Sequence, residues 1–362
     1  IILSLSSKKG IKLTGDFKQE LWFWVYHKAK KGAKFMGREK TSKSKFTVVG
    51  IGEILWDMLP SGKKLGGAVT NFAYHASVLG ANAYVVSSVG ADEPGREIIT
   101  KVGELGLSDQ YIQLDTSHPT GTVDVTLDAN GIPSYVIHEN VAWDYIEFTE
   151  DCLELAKKAD AICFGSLAQR AETSRNTIIG FLESTIKEKN DRCLKVFDIN
   201  LRQNFYNKEI IHQSLQYANV LKLNEEELKV VDELLGLSEG CSLSKNSNFQ
   251  DAGSLDNISS FTCHILSHLA EIYSLDLIVL TRGGKGSILF SKGQFSGHPG
   301  FKVEIADTVG AGDAFTAAVV MGLLHRLNLD EINNIANKLA SYVCSQKGGT
   351  PDLPDELKGL LR

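Results

Sequence analysis

Hydrophobic and polar positions follow two regimes along the chain. Short runs that stay apolar throughout recur at Lys45-Phe46-Thr47-Val48-Val49-Gly50-Ile51-Gly52, Ala161-Ile162-Cys163-Phe164, Leu194-Lys195-Val196-Phe197-Asp198, Val220-Leu221-Lys222-Leu223, Leu277-Ile278-Val279-Leu280-Thr281 and Ser287-Ile288-Leu289-Phe290. Such runs suit strands covered on both faces, and residues 83–89 add one more. Between them, residues 71–79, 174–188 and 313–345 carry helical patterns. Strand and helix in alternation predict an α/β fold with a mostly parallel sheet between two helical layers. Residues 120–137 differ: Thr122-Val123-Asp124-Val125-Thr126-Leu127 and Ser134-Tyr135-Val136-Ile137 alternate around Ala129-Asn130-Gly131-Ile132-Pro133. That alternation predicts a hairpin with one wet face, a small flap attached to the parallel sheet. Residues 238–260, rich in Ser, Asn and Asp, read as a mobile surface insertion.

Charge adds a boundary. The net charge is −6, but residues 1–46 hold 12 basic and 3 acidic residues, against 26 basic and 41 acidic in the rest. An acidic body argues against nucleic-acid binding as the main activity. The basic start, residues 1–45, reads as a solvated, disordered extension outside the folded domain, with contact to anionic partners as the other reading. Within it, residues 1–35 read as upstream sequence, since Met36 precedes a polar lead into the first strand. The apolar patch Leu21-Trp22-Phe23-Trp24-Val25-Tyr26 is far short of the roughly 18 residues that a membrane span needs. The 6 cysteines show no metal-like spacing, so reduced thiols and a cytoplasmic location are expected.

Candidate chemistry concentrates at strand ends and glycine turns, where open α/β sheets bind ligands. Asp307-Thr308-Val309-Gly310-Ala311-Gly312-Asp313 runs straight into an apolar helix. Gly310 and Gly312 let unpaired N–H groups of a first helical turn face an anion, phosphate above all. Asp313 would not attract phosphate, and its natural role is a general base for an attacking hydroxyl. Standing alone, a GxGD turn is more often structural, with Asp as a cap. Asp57 and Asn71, around Gly66-Gly67, suit a polyhydroxylated ligand, although capping would explain them equally well. Arg202, at the end of Asp198-Ile199-Asn200-Leu201-Arg202, has the geometry to clamp phosphate or to form a surface ion pair. Asn224 and Glu227 share a helix face suited to water around Mg²⁺, with helix-start charge as the plain reading. Thr281-Arg282-Gly283-Gly284-Lys285-Gly286 passes beneath a nucleotide or simply joins two strands. Neither a P-loop nor a dinucleotide-binding GxGxxG is present.

In this order, the residues resemble the ribokinase-like carbohydrate kinases, the PfkB family, over about residues 46–358, and most of all its fructokinase branch. Asp307 to Asp313 carries the specific signature; the Gly66-Gly67 to Asn71 element, reading Gly-Gly-Ala-Val-Thr-Asn, is less specific and departs from the frequent Gly-Gly-Ala-Pro-Ala-Asn. The resemblance implies a three-layer sandwich with a small β-sheet lid drawn from about residues 55–65 and 118–140. It implies ATP-dependent phosphorylation of a small sugar, with Asp313 as base and the N–H groups of Gly310, Ala311 and Gly312 as anion hole. Asp57, Gly66, Gly67 and Asn71 match sugar positions, and Arg202 an added substrate or phosphate contact. Asn224, Thr281, Gly283, Gly286 and Asn337 match nucleotide positions, Glu227 a water-mediated Mg²⁺ position, and Asp307 the place of a monovalent cation, K⁺ in many relatives. Fructose is the first acceptor; ribose, a nucleoside or a sugar acid remain alternatives, as does a kinase-like protein that binds without chemistry. Trp143 reads either as an acceptor-selecting aromatic or as core. The implied partners are a sugar and ATP, without nucleic acid or membrane, and a second copy joined through the lid.

Overall fold

The structure, a computed structural model, describes residues 45–361 apart from residues 61, 128–132, 186–192 and 239–258. The expected N-terminal extension lies outside the described residues, as do nearly all of the 238–260 insertion and most of the hairpin turn at 129–133. In chain order, the elements begin with β1 (Thr47–Ile51), β2 (Leu55–Leu59), β3 (Gly62–Gly66), α1 (Ala68–Val78), β4 (Asn82–Gly90) and α2 (Glu93–Glu104). They continue with β5 (Ile112–Asp115), β6 (Thr122–Leu127), β7 (Pro133–Ile137), α3 (Glu150–Lys158), β8 (Ala161–Phe164) and α4 (Glu172–Glu183). Next come β9 (Leu194–Asp198), α5 (Lys208–Tyr217), β10 (Val220–Asn224), α6 (Glu225–Leu235), α7 (Ser260–Tyr273) and β11 (Leu277–Thr281). The last are β12 (Ser287–Ser291), β13 (Gln294–His298), α8 (Ala311–Leu324), α9 (Leu329–Cys344) and α10 (Asp355–Lys358).

A nine-stranded sheet runs β13-β12-β11-β10-β9-β8-β1-β4-β5. It is parallel from β5 to β11, while β12 and β13 pair antiparallel at one edge. The two-residue period of its strands feeds two separate cores. Val48, Val196, Val220 and Val279 face Phe72 of α1, Val319 of α8 and Leu339 of α9. Val49, Phe197, Leu221 and Ile278 face Phe181 of α4, Leu215 of α5 and Leu266 of α7. Those apolar runs are therefore continuous because both faces are covered, and the architecture is the expected three-layer sandwich. At Gly50 a Cβ would stand 2.4 Å from the carbonyl oxygen of Val69, so only glycine lets α1 lie this close to β1.

A separate four-stranded sheet, β3-β2-β6-β7, forms the lid. The alternating segment supplies β6 and β7, antiparallel as expected. β3, Gly-Lys-Lys-Leu-Gly, has little intrinsic strand preference and forms because β2 offers it a ladder from Leu55–Gly66 to Leu59–Gly62. Two boundaries differ from the sequence pattern. α1 starts at Ala68, since Gly67 supplies the positive φ of 113° at its N-cap, which places Asn71 inside the helix. The apolar stretch after Asp313 is two helices, because α8 ends at Leu324 and Asn328 caps α9. No helix among the described residues is long and apolar enough to cross a membrane.

Candidate active site

The site grows from α8. Its residues from Ala314 to Gly322 are all buried, so the helix is anchored by its apolar body and delivers its N-terminus to the carboxyl ends of the parallel strands. Gly310 is the N-cap at φ 75°, and a Cβ there would come within 2.4 Å of the Gly349 Cα. Glycine is thus required twice over, for the turn and for the close approach. Among the groups that open the helix, the Ala311 N–H reaches only a long 3.4 Å bond to the Thr308 carbonyl, so the turn presents donors outward.

Asp313 lies in the first turn of that helix. Its Oδ2 accepts from Asn71 Nδ2 at 2.8 Å, which joins α1 to α8. Burial is the largest influence on the carboxyl, and with the neighbouring Asp198 it pushes the pKa up to about 6. The Asn71 hydrogen bond, Lys222 and Arg202 pull the other way. A carboxylate poised there is ionised at neutral pH and retains affinity for a proton, as a general base requires.

Beneath it lies a polar group that the sequence pattern did not single out. Lys222, in the middle of β10, donates to Asp198 Oδ1 at 2.9 Å, while Thr316 of α8 donates to Asp198 Oδ2 at 2.8 Å. The Lys222 Nζ stands 3.2 Å from where a Cβ on Gly312 would be. Asp198 raises the Lys222 pKa against the desolvation that opposes it, so the ammonium stays charged directly under the glycine turn. The available signal was a lysine inside an apolar run: a charged residue buried with its strand must be paired.

The positions that the resemblance assigns to the sugar gather along β2, β3 and the start of α1. A Cβ on Gly66 would lie 2.5 Å from Asp57 Oδ2, so the missing side chain leaves room for that carboxylate. Burial raises the Asp57 pKa, Arg202 and Lys64 hold it down, and Asp307 adds to the rise. Gly67 packs on the Glu53 carbonyl. Glu53, also overlooked, is buried; its Oε1 accepts from Ala68 N at 3.2 Å, and its Oε2 has no partner among the described residues. Arg202 is exposed, and its hydrogen bond among the described residues runs to its own neighbour, the Leu201 carbonyl. Asp307 accepts from Val309 N, Gly348 N and, at 3.2 Å, Lys64 Nζ of the lid.

On the opposite side, Asn224 and Glu227 form a reciprocal cap on α6: Asn224 Oδ1 accepts from Glu227 N, and Glu227 Oε2 accepts from Asn224 N. Glu227 Oε1 also accepts from Leu201 N at 3.1 Å, tying the Asp198–Arg202 loop to α6. Thr281 ends β11, and the turn after it is pinned by buried Arg282, which pairs with half-buried Glu225 at 3.0 Å. Gly283 and Gly286 have φ of 56° and 83°. Asn337 is buried and donates to Ser287 Oγ at 2.7 Å and the Asn333 carbonyl at 2.8 Å, which holds α9 on β12. Trp143 is fully buried with the Arg170 guanidinium 4.0 Å from its ring centre, so it is core. The segment leading into Asp307 exposes Phe301, Val303 and Ile305, the last at 65%.

A layered α/β sheet with a β lid and a glycine turn that aims helix donors past a poised carboxylate defines a ribokinase-like kinase. The chain belongs to the family described as pfkB family carbohydrate kinase, which matches residues 61–356. It is 27% identical to fructokinase-1 of Zea mays over 338 residues, 86% of this chain and 96% of that protein. Its fold matches the fructokinase of Xylella fastidiosa solved with ATP, with a TM-score of 0.70 and 19% identity over 88% of this chain and 98% of that one. It also matches a fructokinase double mutant of Vibrio cholerae solved with fructose, ADP and potassium, with a TM-score of 0.68 and 21% identity over 89% and 100%. The protein is a sugar kinase, a phosphotransferase with an alcohol group as acceptor.

Proposed function

We propose that the chain transfers the γ-phosphate of ATP to a primary hydroxyl of fructose, giving fructose 6-phosphate. The observation that carries this reading is Asp313, oriented by Asn71 at 2.8 Å and poised at a pKa of about 6 beside the glycine turn. Asp57, Gly66, Gly67 and Asn71 hold the sugar so that one hydroxyl lies against Asp313, which accepts its proton as the oxygen attacks in line. The N–H groups of Gly310, Ala311 and Gly312 receive the growing charge on the transferred group, and Lys222 beneath Gly312 adds a fixed positive charge. Thr281, Gly283 and Gly286 border the nucleotide, with Phe301, Val303 and Ile305 as apolar cover for its base. Closing the lid would keep water from the phosphate.

Glu227 spends one lone pair of each oxygen on backbone donors, so it would hold Mg²⁺ through water, as its acceptor-only chemistry allows. Bound there with ATP, Mg²⁺ would offset phosphate charge. Asp307 is a poor fit for a resident monovalent cation, because Lys64 already brings an ammonium to its carboxylate. Exposed Met58 and Val136, which share one face of the lid through Asp124, support pairing of two copies through the lid.

A sugar acid is the second acceptor to weigh, because the exposed Arg202 guanidinium beside Asp57 suits a carboxylate. The test is ADP formation with fructose, ribose, a nucleoside and a sugar acid, each with and without K⁺. Fructose as best acceptor supports the proposal; ribose or the sugar acid ahead of it overturns the choice of sugar. ADP release independent of every acceptor overturns the catalytic reading.

A further inference from the structure

One face of α1 meets the Gly310–Asp313 turn and the strap at residues 349–351 behind it at three points. Asn71 reaches Asp313, Tyr74 Oη donates to the Pro351 carbonyl at 2.9 Å, and His75 Nε2 lies 2.9 Å from the Gly349 carbonyl. These residues stand at i, i+3 and i+4, so a single helix face carries all three. Gly349 is the piece between His75 and the turn. A Cβ on Gly310 would lie 2.4 Å from Gly349 Cα, and a Cβ on Gly349 would lie 2.9 Å from Asn71 Nδ2. Gly348 N donates to Asp307 Oδ2 at 3.1 Å on the other flank. The Gly348–Gly349 strap is thus clamped between α1 and the N-cap of α8, with no side chain to cushion it.

His75 is fully buried. Because a carbonyl only accepts, the ring must place its proton on Nε2, and Nδ1 is left buried without a partner among the described residues. Burial draws its pKa down to about 4, so the ring is neutral through the working range. A leucine would fill the space without an orphaned nitrogen; what the histidine adds is the bond to Gly349.

We propose that His75 is a positioning residue for phosphoryl transfer, holding Gly349 and, through it, the Gly310 turn in register with Asp313. The inference rests on the reading of Gly310 to Gly312 as the anion site. His75→Leu removes the donor and His75→Gln restores an N–H at similar reach. Two readouts apply to the full chain: deuterium exchange of the amides at 307–314 without ligand, and kcat with acceptor KM. In His75→Leu those amides exchange about tenfold faster, and kcat falls about tenfold or more while KM stays within about twofold, as expected of a misplaced donor set. His75→Gln returns both to near the parent. Unchanged exchange at 307–314 in His75→Leu overturns the proposal, as does His75→Gln impaired as severely as His75→Leu. If His75→Leu does not fold, His75→Asn, too short to reach Gly349, takes its place with the same outcomes. Exchange does not depend on turnover, so a parent protein without acceptor-dependent activity would sink the kinase reading and leave the positioning claim separately decided.

Discussion

Around Asp313 polar groups are mostly buried and paired, whereas in the segment ahead of Asp307 apolar groups stand in water. Hydrogen bonds join Asn71 of α1 to Asp313 of α8, and Asp198 of β9 to Lys222 of β10 and Thr316 of α8; the charges of Asp198 and Lys222 acting on Asp313 couple the two sets into one electrostatic network. In the segment 301–305, by contrast, Phe301, Val303 and Ile305 are 43%, 41% and 65% exposed. The difference fits the roles proposed for the two regions. Charge develops where the hydroxyl attacks, and donors fixed beforehand need not reorganise during reaction. A nucleotide base is bound by area, and the surface it covers is open until it arrives.

Predictions follow from that contrast, the largest effect first. Lys222→Met leaves Asp198 buried and uncompensated, so urea unfolding should show a loss of about 3–5 kcal/mol. An unchanged urea midpoint would remove Lys222 from the network. Asp313→Asn should lower kcat by about 10²-fold or more without lowering the melting temperature at pH 7–8. The sign follows from linkage: a carboxyl whose folded pKa is raised to about 6 costs stability once ionised above that pH, and a neutral amide removes the cost. Below the ordinary carboxylate pKa of about 4 the two proteins should converge. In the parent, kcat/KM should fall about tenfold per pH unit below about 6, where Asp313 takes up a proton, and stay level above it. The smallest effect belongs to the open side: Ile305→Ser should raise the KM for ATP by roughly three- to tenfold, leaving acceptor KM and melting temperature in place. An equal rise in acceptor KM would mean that the two halves are not separate.

Much of the fold was legible because two-sided burial writes itself as apolar runs, and the lid because one-sided burial writes itself as alternation. β3 could be placed only through the resemblance, which put part of the lid at about residues 55–65, since Gly-Lys-Lys-Leu-Gly becomes a strand only when β2 pairs with it. In the site, the glycine turn and Asp313 could be read because their chemistry is local to seven residues. Glu53 and His75 could not, as their partners lie 15 and 274 positions away, and for Lys222 the apolar run signalled a buried pair but not its partner, 24 positions away. Asn337 adds a role that the motif did not suggest: its amide hydrogens enter a buried cluster with Asn333 and Ser287.

The most direct test of Asp313 as the phosphoryl-transfer base is acceptor-dependent ADP formation by the parent and by Asp313→Asn, with fructose at saturation and Mg²⁺·ATP in excess. The account predicts turnover that requires the sugar and is lost by about 10²-fold or more in the variant, with the variant still folded. Near-parental turnover by Asp313→Asn would contradict it.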